Sequence, residues 1–221
     1  MIYESYCGDE DVSWVDQYLK PGMVAVDVGA CQGDVVRPMA VALQGEGSII
    51  AIEPMASRRE ALERIDPVVR VLTMALGDHE GDATFYPSRA PEHGSLYEKA
   101  VLKPEGDPFT TRLATLDGLQ ASGEIPPHVD LLKIDAQGAD GPILRGAVNM
   151  LRTQRPVVYV EVWPLGLTEA GDSVAALGAF LRDLNYVVQD ARSWEILERD
   201  TAAIGGHGSH DWLAVPAERA A

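Results

Sequence analysis

Val24-Ala25-Val26-Asp27-Val28-Gly29-Ala30-Cys31-Gln32-Gly33, followed by Ile49-Ile50-Ala51-Ile52-Glu53-Pro54, decides how this chain is expected to fold. In each stretch an apolar run ends at an acidic residue, and the first leads into a glycine turn. In open α/β sheets such turns lie at the carboxyl ends of strands, where cofactors bind. Gly29 and Gly33 are expected to let the backbone pass close to a ligand, because a Cβ there would occupy the ligand's space. Glu53, with Pro54 after it, ends the second run, placed to accept hydrogen bonds from the two hydroxyls of a ribose. The pattern predicts an adenosine-containing cofactor.

What the turn lacks narrows the cofactor. A dinucleotide fingerprint is G-x-G-x-x-G, with a helix N-terminus cradling the pyrophosphate. Gly29 to Gly33 instead gives G-x-x-x-G, with Asp27 two residues before the first glycine. A carboxylate there repels a pyrophosphate but suits a cofactor that carries an ammonium and a sulfonium. S-adenosyl-L-methionine meets that description and NAD does not. The plainer reading is an ordinary strand-to-helix connection whose glycines serve tight geometry alone.

The 221 residues, 46% of them hydrophobic, suit one globular domain over residues 1–221 with a sizeable core. Eighteen Lys and Arg against 34 Asp and Glu give a net charge of −16. Such a surface repels nucleic-acid backbones and anionic membranes unless a basic patch intervenes. Arg58-Arg59 and Arg152 to Arg155 are short and interrupted, so neither nucleic acid nor membrane is an expected partner. Cys7 and Cys31 do not make a disulfide framework, which favours a reducing compartment. Met1 to Tyr6 lacks a basic region followed by an apolar one, and no apolar run approaches the roughly 20 residues needed to cross a bilayer. The expectation is a cytoplasmic protein.

Apolar runs alternate with amphipathic segments, as in a parallel sheet flanked by helices. Strands are predicted at Val24–Ala30, Ser48–Pro54, Val69–Leu76, Val129–Ala136 and Pro156–Val162, with closing strands at Tyr186–Gln189 and Asp211–Val215 that could include an antiparallel edge. Helices are predicted at Asp11–Leu19, Arg37–Leu43, Ser57–Ile65, Ile143–Arg152 and Ser173–Leu184. Gly81–Pro87 reads as an extra strand, half of a hairpin. Residues 90–111 carry Pro91, Gly94, Pro104, Gly106 and Pro108. A loop of that length beside a cofactor crevice reads as a lid or substrate-binding insertion.

Leu131-Leu132-Lys133-Ile134-Asp135-Ala136-Gln137-Gly138 is the second informative cluster. Lys133 and Asp135 project from one face of a strand, and charges in so apolar a run are costly unless paired. They pair with each other, or Lys133 reaches Glu161 in Val160-Glu161-Val162-Trp163. Two carboxylates close together raise each other's proton affinity, which makes one of them a candidate general base. The competing reading is a structural ion pair without proton transfer. His93, in the insertion, is a further candidate base for a substrate hydroxyl, set against an ordinary solvated loop histidine. A divalent cation on Asp135, Glu161 and Asp140 has no compact His/Asp spacing behind it, and no metal is expected. There is no Gly-x-Ser-x-Gly elbow for Ser/His/Asp chemistry.

At this point the chain resembles a known family. Val26-Asp27-Val28-Gly29-Ala30, Ile52-Glu53-Pro54, Ala75-Leu76-Gly77-Asp78, Thr115-Leu116-Asp117, Leu132 to Asp140, Ile143-Leu144-Arg145-Gly146, Glu161-Val162-Trp163-Pro164 and Asp211 to Pro216 occur in the order seen in FkbM methyltransferases, which use S-adenosyl-L-methionine. The resemblance implies an α/β class I (Rossmann-like) methyltransferase fold: a mostly parallel seven-stranded sheet with an antiparallel last strand and helices on both faces. It implies methyl transfer to a hydroxyl of a small molecule, a sugar or polyketide among them. Asp27, Gly29 and Gly33, with Ala30 in the same turn, would line the methionine end of the cofactor. Glu53 and the adjoining Pro54 would hold the ribose, Ala75 and Leu76 would border the adenine, and Asp135 would sit beside the reacting centre. Gln137 and Asp140 stand where an acidic Glu-Gly-x-Glu is frequent, which puts roles tied to those carboxylates in doubt.

A sulfonium methyl is strongly electrophilic, so the protein mainly has to align an oxygen behind it and take the hydroxyl proton. Asp135 is the first candidate for that proton, with His93 and Glu161 behind it and Lys133 as counter-ion. The rivals are an NAD-linked oxidoreductase on a doubly wound sheet and a non-catalytic cofactor-binding protein. The expected partner is a small-molecule acceptor, and the sequence leaves a homodimer open.

Overall fold

Runs rich in Val, Ile and Leu fold as strands covered on both faces. In the computed structural model, which describes residues 12–90, 93–101, 103–197 and 209–220, these are β1 (Val24–Val28), β2 (Ser48–Ile52) and β3 (Val69–Leu72), then β4 (Ala75–Leu76), β5 (Gly81–Phe85) and β6 (Phe109–Ala114). They continue with β7 (Leu131–Ile134), β8 (Val157–Val162), β9 (Tyr186–Asp190) and β10 (His210–Pro216). Met1 to Tyr6, Cys7, Asp11 and Pro91 of the sequence reading, with residues 92 and 102 of the insertion, lie outside the described residues.

Seven strands form one sheet in the order β3-β2-β1-β7-β8-β10-β9. β1, β2, β3, β7 and β8 run parallel, with Val28 opposite both Ile52 and Ile134. The expected mostly parallel sheet with an antiparallel last strand is present. β10 is antiparallel to both β8 and β9, so it lies inside the sheet and β9 forms the edge. Trp212, Leu213, Ala214 and Val215 of β10 are almost fully buried, which an edge position could not provide. The chain winds outward from β1 in one direction and from β7 in the other, and a crevice opens at such a switch point.

Helices cover both faces: α1 (Ser13–Tyr18), α2 (Val36–Leu43), α3 (Arg59–Glu63), α4 (Leu116–Ala121), α5 (Asp140–Arg145), α6 (Val148–Thr153), α7 (Pro164–Glu169) and α8 (Val174–Asp183). Successive strand residues point to opposite sides. Ala25, Ile49 and Leu131 therefore join Trp14, Met39 and Leu62 in one core. Val26, Ile50 and Leu132 join Ile143, Met150 and Leu181 in the other. None of the described helices is long and apolar enough to cross a membrane.

The structure revises three elements. The expected strand Val69–Leu76 breaks after Leu72, because β4 leaves the main sheet to pair in parallel with β6. β5, the predicted hairpin half, finds its antiparallel partner in β6, beyond most of the irregular insertion, in a three-stranded sheet ordered β4-β6-β5. The single helix expected over Ile143–Arg152 is two. At the break, Asp117 N donates to Gly146 O (2.9 Å), and the Asp117 carboxylate accepts from Asn149 N and Met150 N at 2.8 and 2.9 Å. A Cβ on Gly146 would stand 2.1 Å from Gly77 O, so the chain passes there only as glycine.

Candidate active site

A cleft opens at the carboxyl ends of β1, β2 and β7 and is closed on its far side by β4 and part of the insertion. Gly29, Glu53, Pro54, Ala75, Leu76 and Asp135 of the predicted set all line it, joined by Cys31, Arg58, Gln137, Phe85, Gly94 and Leu96. Asp27, Ala30 and Gly33 are not among its lining residues.

The glycines are needed for a different reason from the one the sequence suggested. Gly29 has φ +77°, and a Cβ there would fall 1.9 Å from Asp135 O, so the residue lets the turns after β1 and β7 touch. Gly33 has φ +87°, and its Cβ would meet Ile65 Cδ1 at 2.3 Å, in the packing beneath α3. In both places protein, not ligand, fills the space that a side chain would need. Ala30 is buried among the same core residues as Val36 and Leu62.

Asp27 and Lys133 occupy in-register positions on β1 and β7. Lys133 Nζ lies 3.0 Å from Asp27 Oδ1, donates to Gly29 O at 3.0 Å and stands 3.6 Å from Asp135 Oδ2. Burial raises the Asp27 carboxyl above its ordinary value, and the Lys133 charge opposes that rise. The sequence reading paired Lys133 with Asp135 or Glu161. Its shortest ionic contact is with Asp27, because the cross-strand register of a parallel pair was not visible in one strand's pattern.

Glu53 directly follows β2 with its carboxylate almost wholly enclosed. Oε1 accepts from Met55 N at 2.9 Å, while Oε2 accepts from Cys31 N at 3.0 Å and lies 3.2 Å from Arg58 Nη1. Burial pushes its pKa up, with Arg58 and the two N–H groups pulling the other way. A carboxylate has about four lone-pair sites, so with Met55 N, Cys31 N and Arg58 on three of them this one retains capacity for one ribose hydroxyl. Met74, Ala75 and Leu76 add an apolar wall that fits a purine face. Arg58, the lining cation among the described residues, is already engaged by Glu53, so nothing prepares the cleft for a pyrophosphate. The donor set fits adenosine with a cationic tail better than a dinucleotide. Cys31 is raised to about 11 by burial, which keeps it a neutral thiol.

The three candidate bases meet at one side chain. Gln137 Nε2 donates to Asp135 Oδ1 at 3.2 Å and to Glu161 Oε2 at 2.9 Å. His93 Nδ1 stands 3.3 Å from Gln137 Oε1, and Ser95 Oγ donates to the Gln137 carbonyl at 2.8 Å. The Glu161 carboxyl is held well above the usual range, first by burial, then by the charge of Asp135. Asp211, opposite Glu161 on β10, is also raised by burial, against a hydrogen bond from Tyr159. Asp140 instead clasps the loop: Oδ1 accepts from Ala136 N at 2.9 Å and Oδ2 from Gly138 N at 3.0 Å. Among the described residues no group of three or more His, Cys, Asp or Glu is arranged to hold a metal ion. Trp163 packs on α7, where a Cβ on Gly166 would come within 2.5 Å of its ring. The sequence marked Gln137 only as a departure from a frequent glutamate, and its role as a junction needed the insertion's path to be seen.

The model of the methyltransferase FkbM domain matches residues 27–188. A methyltransferase FkbM from Methylobacillus flagellatus KT superposes with a TM-score of 0.58 at 10% identity, over 92% of this chain and 50% of that one. This chain therefore spans about half the length of that protein. A precorrin-6y C5,15-methyltransferase from Geobacter metallireducens GS-15 gives 0.51 at 16% identity, over 97% and 92% of the two chains. An rRNA methylase from Streptococcus thermophilus gives 0.50 at 6% identity, over 92% of each. Proteins named for different acceptors thus share the fold, so the fold does not choose the acceptor. A search of curated proteins by sequence finds no match.

Proposed function

The chain belongs to the FkbM methyltransferase family, and from that premise we propose that it methylates a hydroxyl of a small, non-anionic molecule such as a sugar or polyketide. One observation carries the reading: a single cleft has the Glu53 carboxylate at one end and the Asp135–Gln137 junction at the other. S-adenosyl-L-methionine, when bound, supplies an electrophilic methyl group.

Glu53 receives a ribose hydroxyl, and Ala75 and Leu76 flank the adenine. Gly29 and Asp135 border the methionine end. The acceptor hydroxyl loses its proton to the group gathered at Gln137. Asp135 is the first recipient, because its side chain lines the cleft, whereas burial and the charge of Asp135 hold the Glu161 carboxyl well above the usual range. The net charge of −16 favours neutral or cationic acceptors over phosphorylated ones. Free Cys31 accords with a cytoplasmic site of action.

Calorimetric titration with S-adenosylmethionine, S-adenosylhomocysteine and NAD tests the cofactor. A screen of sugar and polyketide alcohols, read by transfer of labelled methyl, tests the acceptor. NAD binding with the other two silent would overturn the reading. Asp135→Asn should retain cofactor affinity and lose most turnover.

A further inference from the structure

The arginines at 58, 59 and 64 divide by direction. Arg59 and Arg64 pair with Glu63 and Glu60 along α3 and stay in solvent, their side chains 55% and 70% exposed. Arg58 is 16% exposed and turns back to the end of β2, where its Nη1 lies 3.2 Å from Glu53 Oε2. The short 3₁₀ turn Ala56–Arg58 brings it there, with Arg58 N donating to Met55 O at 3.0 Å.

That contact bears on a competition at one oxygen. Oε2 faces two donors, Cys31 N and Arg58, while Oε1 accepts from Met55 N, so the capacity left on the carboxylate is on Oε1. A solvent proton and a ribose hydroxyl both come to that lone pair. Once protonated, Oε1 presents a donor, and the charge that strengthens its hydrogen bond is gone. Enclosure favours the proton, because Glu53 is 3% exposed and a carboxylate so enclosed is costly without a cation beside it. Burial raises the Glu53 carboxyl, and the Arg58 charge leads the influences that lower it.

Among the described lining residues, the other faces of the cleft add no positive charge. Cys31, on the β1 side, is a neutral thiol raised to about 11 by burial, with Asp34 in the same turn. Met74, Ala75 and Leu76 wall the β4 side, Gly94 and Leu96 the insertion side, and Asp135 is at the opposite end. A guanidinium, unlike an ammonium, keeps its charge even when it is drawn out of water.

We propose that Arg58 is a positioning residue for the cofactor, whose guanidinium keeps the enclosed Glu53 carboxylate in the ionised, acceptor-only form that a ribose hydroxyl needs. The ribose rests on the methyltransferase reading of the cleft; the charge on Glu53 does not.

The test is a carboxyl-carbon NMR titration of the full chain labelled with 13C-glutamate, without ligand, with Glu53→Gln assigning the signal. Arg58→Met keeps the apolar stem and removes the charge. In it the titration midpoint of Glu53 should move up by about one to three pH units, and Arg58→Lys should bring it most of the way back. A midpoint unmoved in Arg58→Met, or one that Arg58→Lys leaves high, would overturn the proposal, since packing and not charge would then set the carboxyl. Calorimetry with S-adenosylhomocysteine over the same pH range reads the consequence. In Arg58→Met the affinity should fall roughly tenfold over the pH unit below the shifted midpoint, where the parent still binds. An affinity that ignores the moved midpoint would also overturn the proposal. A parent that binds no S-adenosylhomocysteine at any pH would count against the methyltransferase reading, and the ligand-free titration would still decide whether Arg58 keeps Glu53 ionised.

Discussion

Lys133 Nζ and Asp27 Oδ1 lie 3.0 Å apart on neighbouring parallel strands, with side chains only 4% and 1% exposed. A pair so enclosed is held by mutual compensation: each charge would be strongly unfavourable without the other. Lys133→Met should therefore destabilise the protein by about 3–5 kcal/mol, and Lys133→Met/Asp27→Asn should recover much of the loss. Urea denaturation of the single and double variants checks this. Equal losses in the two would show that the pair does not carry the effect.

Glu53 binds through acceptor oxygens that its neighbours only partly occupy. Glu53→Gln keeps the shape and replaces one oxygen with a donor. Losing charge-assisted hydrogen bonds worth about 1.5–3 kcal/mol should weaken S-adenosylhomocysteine binding roughly tenfold to hundredfold. Calorimetry reads the change, and an unaltered affinity would place the ribose elsewhere.

Asp140 gives a pH signature. Burial lifts its pKa from 3.8 to about 6. Between those values the folded chain holds a proton that the unfolded chain has released, so this contribution to stability is complete below about pH 4 and lost as pH rises through about 6. The difference in unfolding free energy between the parent and Asp140→Asn should shrink by on the order of 2 kcal/mol from pH 4 to pH 7. Taking the difference removes the titrating groups that do not sense Asp140, with Glu161, whose carboxyl the Asp140 charge raises, as the exception, and denaturation curves at four pH values suffice. A difference that stays flat, or grows, contradicts the assignment.

Gly29 and Gly33 should respond differently to a methyl group. Gly29→Ala drives a Cβ into the Asp135 carbonyl at positive φ, costing about 2–4 kcal/mol and distorting the cleft floor, so ligand affinity falls with stability. Gly33→Ala presses on Ile65 and Leu62, away from the cleft, and should lower the melting temperature while leaving affinity for S-adenosylhomocysteine in place. Thermal melts with calorimetry separate the two outcomes.

The parallel sheet was legible because Val24–Val28, Ser48–Ile52 and Leu131–Ile134 need cover on both faces, and a continuous apolar run records that need. The small sheet was not, since β4 is two residues long and finds β6 across the insertion. α4 carried a readable signal in Thr115, whose hydroxyl accepts from Gly118 N at 2.9 Å, and α7 in Pro164 at its first turn. Both are only six residues long, too short for helical periodicity to show. In the site, Glu53 and Asp135 stood out as acids ending apolar strands. Gln137, Arg58 and the Lys133–Asp27 contact depend on register and loop path, which no local pattern encodes.

The place of β10 between β8 and β9 has a consequence for how the chain assembles on the ribosome. Until residues 210–216 have emerged, β8 presents an unpaired flank beside Val157–Val162, and β9 has no described neighbour to hold it in the sheet. Most of the cleft is built from residues before 140, yet the sheet beneath it stays ajar until β10 has been made. A nascent chain stalled before β10 exposes an adhesive slot, which makes the docking of β10 the step at which aggregation and folding compete.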